Sequence, residues 1–184
     1  MNRRRVLAPL CWSAAVAGLI AVSFYPGSAG SQGAVVTRQV GVQLAAGDVA
    51  PRVFMIQPNG DRSDSNDLSG RPYLVDFWHP ACGPCRGQAP HLNAAYRLLR
   101  RARGTVLAIA SQVSDDELRQ TKRRWRLRYP VGRPFQPGVF DRSSGYGVTR
   151  LPASFVVGRD GRIVEAFYRM PNRPRLLAAV RRAI

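Results

Sequence analysis

His79, Cys82 and Cys85 stand three residues apart in "HPACGPC", and two thiols with one imidazole can support three kinds of chemistry. They can close a short disulfide that fastens a loop, hold a soft metal, or exchange electrons with another dithiol. As a fastener the pair is weak. By the chain-entropy argument a loop of about four residues is worth at most about 2 kcal/mol, against about 3 kcal/mol for fifteen. As a metal site it is half a site, because a closed zinc centre takes four ligands. Outside the apolar leader the chain supplies only these two cysteines, His79 and His91. A copper- or zinc-binding protein using His79, Cys82 and Cys85 is therefore the alternative reading. No resident metal and no other cofactor is expected.

Redox exchange needs only what is present. A thiol at a helix N-terminus feels unpaired amides and the helix dipole, which favour its thiolate by about 0.3 to 2 kcal/mol, or roughly 0.2 to 1.5 pKa units. Cys82 is then the nucleophile. Cys85, one turn further in and more shielded, attacks the resulting mixed disulfide and releases product. That second attack requires Cys85 to lose a proton. Asp76, in the apolar run "YLVDFW", is the candidate base: desolvation raises a carboxylate's pKa toward the useful range. The bland alternative is an edge strand whose Asp76 simply faces solvent.

These groups need a frame. The run Tyr73 to Trp78 reads as a strand covered on both faces. After the dithiol, Leu92, Ala95, Tyr96, Leu98 and Leu99 recur at helical spacing up to Gly104, with Pro90 expected to bend the helix. "TVLAIA", residues 105–110, is a second buried strand. A helix follows from "SDDELRQ", with Ser114 as cap and Asp115, Asp116 and Glu117 in its first turn. Strand, helix, strand, helix implies parallel pairing. Ahead of this unit, an apolar stretch around Val53 to Ile56, a Pro-Asn-Gly-Asp turn and a polar return predict an N-terminal β-hairpin. Behind it come a Pro/Gly-rich region over 129–147, the strands "SFVVG" and "IVEAF" joined by an "RDGR" turn, and a last helix from about Pro174. The expected class is α/β: a central mixed sheet with helices on both faces and the hairpin as an extension.

Arg3, Arg4 and Arg5 precede an apolar run from Val6 to Tyr25, followed by small residues through Ser31. Residues 1–29 thus read as a signal peptide or an N-terminal membrane anchor, 30–46 as a flexible linker and 47–184 as one domain. Either form of leader puts the domain outside the cytoplasm, in the periplasm of a two-membrane cell, where a free cysteine pair is oxidised unless something keeps it reduced. The formal charge of +17 favours anionic surfaces, and anionic lipid headgroups beneath an anchored domain would suit it. Nucleic acid is disfavoured as a partner: the arginines are scattered, and export argues against it.

"VDFW", then "CGPC", then Pro90 five positions after Cys85 resemble the thioredoxin superfamily. "GDVAPRVFMI", "LSGRP" and "LPASFVVGRDGRIV" make residues 47–184 similar to the TlpA-like exported thiol:disulfide oxidoreductases. The resemblance implies a thioredoxin fold, protein disulfide substrates, a membrane thiol-reductant carrier as electron source, and Trp78 packed under the dithiol. It also implies a cis proline at Pro152, with Leu151 offering backbone hydrogen bonds to substrate. The "GP" between the cysteines matches thioredoxin, which points to reduction. Two positions depart from the pattern. Ala81 stands where Trp is common, and Gln88 stands where relatives that reduce cytochrome c apoproteins often carry Glu. "GDVAPRVF" also resembles the start of peroxiredoxins, but those enzymes need Thr or Ser three residues before the reactive cysteine. His79 holds that place here, and a peroxidase is disfavoured.

Overall fold

The computed structural model describes residues 43–135 and 145–184. The leader over 1–29 and residues 30–42 of the expected linker lie outside the described residues. In chain order the elements are β1 (Phe54–Ile56), β2 (Arg62–Asp64), a 3-10 turn (Ser65–Leu68), β3 (Tyr73–Trp78), α1 (Gly83–Arg101) and β4 (Thr105–Ala110). There follow α2 (Asp115–Arg124), β5 (Val131–Pro134), β6 (Ala153–Val157), β7 (Ile163–Phe167) and α3 (Arg173–Ala183). The seven strands form one mixed sheet in the order β2-β1-β5-β4-β3-β6-β7.

β3 lies inside this sheet, parallel to β4 and antiparallel to β6, which is why all six of its residues are buried. The predicted hairpin is β1 and β2, paired Met55 to Ser63. α1 continues unbroken through Pro90, and Ser114 caps α2 by accepting a hydrogen bond from the Glu117 N–H. Asn172 caps α3 in the same way, through the Arg175 N–H.

Two findings differ from the sequence expectation. The α-helices do not divide between the faces: among the described residues α1, α2 and α3 all contribute to one cluster, with Leu92, Leu118 and Leu176. The topology dictates this for α1 and α2. Steps from β3 to β4 and from β4 to β5 move the same way across the sheet, so two right-handed crossovers land on the same side. The other difference is β5, a strand inside the Pro/Gly-rich region. Its Gly132 sits against β1, where an added Cβ would come within 2.6 Å of the Ile56 carbonyl oxygen, so a residue that signals a loop is here required for strand packing.

The second face is closed mainly by chain outside the helices. Leu44, in the stretch read as linker, is buried there with Val53, Tyr146 and Val148 against Tyr73, Val75 and Phe77 of β3. Phe77, Tyr146, Phe155 and Tyr168 form a run of tilted and edge-on ring contacts, with centroids 4.8 to 5.5 Å apart between successive rings.

Candidate active site

Cys82 is the N-cap of α1, and Cys85 lies inside its first turn. The two are joined as a disulfide, with Cα atoms 5.3 Å apart. The helix begins here because Cys82 has extended backbone, Pro84 sits in the first turn where a missing N–H costs nothing, and Cys82 Sγ accepts from the Cys85 N–H at 3.2 Å. Cys82 is half-buried among exposed Ala81, Gly83 and Pro84, whereas Cys85 is only 4% exposed. One sulfur can be met by a partner and the other cannot.

Beneath them, Trp78 and Cys85 are buried in the same cluster, and Trp78 packs against Trp125 with ring centroids 5.4 Å apart. Among the described residues its indole N–H has no hydrogen-bond partner.

Asp76 is 2% exposed on an interior strand, which removes the solvent-facing alternative. Leu74 and Trp78, its neighbours on the same side of β3, belong to the helix-face cluster, so Asp76 faces that side too. Its Oδ1 accepts from Ser154 Oγ at 2.7 Å and from Gln88 Nε2 at 2.8 Å, and Gln88 Nε2 also lies 2.7 Å from Ser154 Oγ. Desolvation pushes the Asp76 pKa up to about 7, against the opposing pull of the two hydrogen bonds, with that of Ser154 the larger. The phenol of Tyr129 is pushed well up in turn by its burial and by the charge of Asp76.

Gln88 and Ser154 are the residues that sequence reasoning did not assign to the site. Gln88 lies three positions after Cys85, on the same side of α1, and Ser154 stands directly across the strand pair from Asp76. The available signal was their polarity inside apolar surroundings, since a buried polar side chain needs a partner.

The Leu151–Pro152 peptide is cis. Pro152 immediately precedes β6, whose Ala153 pairs with Phe77, so it comes to the end of the sheet where β3 gives way to the dithiol. Leu151 packs at the junction of both clusters. Met170, which the sequence did not mark, is exposed and lies over Gly87 of α1. His79 turns Nδ1 inward to accept from the Ala81 N–H at 3.1 Å. Among the described residues no group of three His, Cys, Asp or Glu side chains gathers in metal-binding geometry.

This arrangement offers an accessible sulfur, a buried sulfur one turn into α1, and, held by Gln88 of the same helix, an acid whose pKa lies near 7. Comparison with known proteins agrees with it. The AhpC/TSA family profile matches residues 46–166. The thiol-disulfide oxidoreductase ResA of Bacillus anthracis is 25% identical over 123 residues, covering 67% of this chain and 69% of that protein. Among solved structures, a thiol:disulfide interchange protein from a Bacteroides species superposes with a TM-score of 0.67 at 22% identity, over 77% of this chain and 92% of its own. The thioredoxin domain of a thiol-disulfide oxidoreductase from Bacteroides vulgatus gives 0.65 at 24% identity, over 74% and 97%. At these identities the two structures establish the fold.

Proposed function

Because the chain belongs to the AhpC/TSA family and is a thioredoxin-fold thiol-disulfide oxidoreductase, we propose that it reduces protein disulfides outside the cytoplasm through Cys82 and Cys85. The observation that carries this reading is the asymmetric pair at the start of α1, one sulfur reachable and one buried on the side where Gln88 reaches Asp76.

The reaction begins from the dithiol. The Cys82 thiolate attacks one sulfur of the substrate disulfide, which forms a mixed disulfide and expels the first substrate thiolate. Cys85 gives its proton to Asp76, directly or through water, and attacks Cys82 Sγ. The Cys82–Cys85 disulfide closes and the second substrate thiolate leaves. The substrate gains two electrons and the enzyme loses two, ending in the disulfide form of the present structure. Return to the dithiol takes two electrons from a membrane thiol-reductant carrier. Leu151 and Pro152 dock the substrate backbone, and Trp78 supports the dithiol from below. The leader places the domain in the periplasm, as a tethered or released protein, and the basic surface meets anionic headgroups.

The test is a Cys85→Ser variant expressed in its own compartment, in which the first attack proceeds and the second cannot. Mixed disulfides with other proteins should accumulate on Cys82 and vanish in a Cys82→Ser, Cys85→Ser double variant. An abundant variant with Cys82 unblocked and no trapped partner would overturn the reading.

A further inference from the structure

At the end of the domain away from the dithiol, a cavity of about 400 Å³ is lined by Gly70, Arg71, Arg101, Ala102, Arg103 and Arg159. Four arginines line it, and among the described residues no Asp or Glu does. They arrive from three separate segments: the approach to β3, the exit from α1 and the turn after β6. α1, at about 1.5 Å per residue, sets some 28 Å between this cavity and Cys82. It is therefore a different place from the active site.

Local structure holds the four together. Gly104 lets the exit of α1 abut the approach to β3, since an added Cβ would fall 1.9 Å from the Pro72 carbonyl oxygen. That contact sets Arg101 and Arg103 beside Arg71. Arg159 is steered in by donating to the main-chain oxygen of Gly70 at 3.3 Å and to the C-terminal carboxylate of Ile184 at 2.6 Å, and Arg71 donates to the main-chain oxygen of Asp67. Arg101 and Arg103 form no ion pair with a described residue. Only Arg159 meets a counter-charge, the C-terminal carboxylate, and the other like charges gathered beside it repel one another. Arg101 has a local justification at the C-terminal end of α1, where a cation meets the helix dipole. Arg103, the residue after the cap Ala102, shares that helix end but not a helical backbone. Its φ of 59° lies in the left-handed region that glycine occupies without strain, so the chain carries a long cationic side chain where the backbone favours its absence.

We propose that this arginine cradle is a binding site for a phosphoryl oxyanion, either a soluble phosphate compound or the phosphodiester of an anionic lipid headgroup. Guanidinium forks match paired phosphate oxygens, and four of them surround a space that a diphosphate or headgroup fills. A headgroup seated there would turn the dithiol away from the bilayer and toward its substrates.

The full-length protein is titrated with inorganic pyrophosphate in one arm. In the other it is sedimented with phosphatidylcholine vesicles with and without phosphatidylglycerol, and the gain due to phosphatidylglycerol is read. The variants are R101E/R103E, a control R123E/R124E that removes the same charge from the exposed end of α2, and Arg103→Gly. Wild type should respond in at least one arm, and the arm identifies the source of the phosphate. R101E/R103E should weaken that response about tenfold or more, and the control about twofold or less. Arg103→Gly should bind more weakly while its Tm stays level or rises, a combination that unfolding does not produce. Response in neither arm, equal loss in the control, or loss confined to variants with lowered Tm would each overturn the site.

Discussion

Tyr73, Val75 and Phe77 of β3 face one side of the sheet, and Leu74, Asp76 and Trp78 face the other. On the first side the neighbours are aromatic and aliphatic. The buried polar side chains there are hydroxyls: Ser65 accepts from the Val53 N–H at 2.9 Å, and Tyr146, whose phenol is pushed further up by burial, donates to the Pro51 carbonyl at 2.8 Å. On the second side the buried carboxylate of Asp76 accepts from Ser154 and Gln88 and acts on the phenol of Tyr129. One strand thus carries a packing face and a reacting face. The difference teaches that burial alone makes no active site: the same apolar surroundings that silence tyrosine bring an aspartate's pKa to the working pH.

The largest effect should come from damaging the packing face. Phe155→Ala removes a ring in contact with Phe77, Tyr146 and Tyr168, and is expected to cost about 3 to 5 kcal/mol in denaturant unfolding. The pH dependence of Cys82 alkylation should stay where it was. A shift in that profile would mean the two faces are not separable.

Asp76→Asn tests the reacting face by stability. The carboxyl titrates near 7 in the folded protein and near its ordinary value of 3.8 when unfolded, so between those values the folded state holds the extra proton. The contribution of Asp76 to stability is therefore greatest below about pH 4 and is lost as pH rises through 7. The total fall is on the order of 4 kcal/mol. The asparagine variant should lack this slope and be the more stable protein at pH 8, as unfolding at a series of pH values would read.

Smaller still is Ser154→Ala, which deletes one donor and is expected to cost about 1 to 3 kcal/mol. Because that hydroxyl favours the ionised carboxylate, its loss should move the Asp76 titration to higher pH. A downward move, or none, would show that Ser154 does not hold the charge.

Much of this was legible in the sequence, for physical reasons that also explain what was not. β3, β4, α1 and the β6–β7 hairpin announce themselves because apolar runs and periodicity are the direct imprint of burial. Cys82 and Cys85 are legible because spacing alone brings neighbours in sequence together. Asp76 could be suspected, since a carboxylate inside an apolar run needs a reason. Gln88 was marked only as a departure from the family pattern and Ser154 not at all; their meeting at Asp76, 12 and 78 residues away in sequence, was out of reach because only the register of β3 with β6 and the seating of α1 bring them to one oxygen. β5 was missed because Gly132 and Pro134 signal a loop, and a glycine required by close approach looks the same as one required by a turn. The sides taken by the helices depend on strand order, which no local pattern encodes.

The most direct measurement is the rate at which a thiol leaving group is expelled from a mixed disulfide on Cys82, followed from pH 5 to pH 9 in wild type and in Asp76→Asn. In wild type the rate should climb through about pH 7 as Asp76 becomes able to take the Cys85 proton, then level. In the variant the climb should be gone and the rate at neutral pH lower. Superimposable profiles for the two proteins would contradict the assignment of Asp76 as the proton acceptor for Cys85.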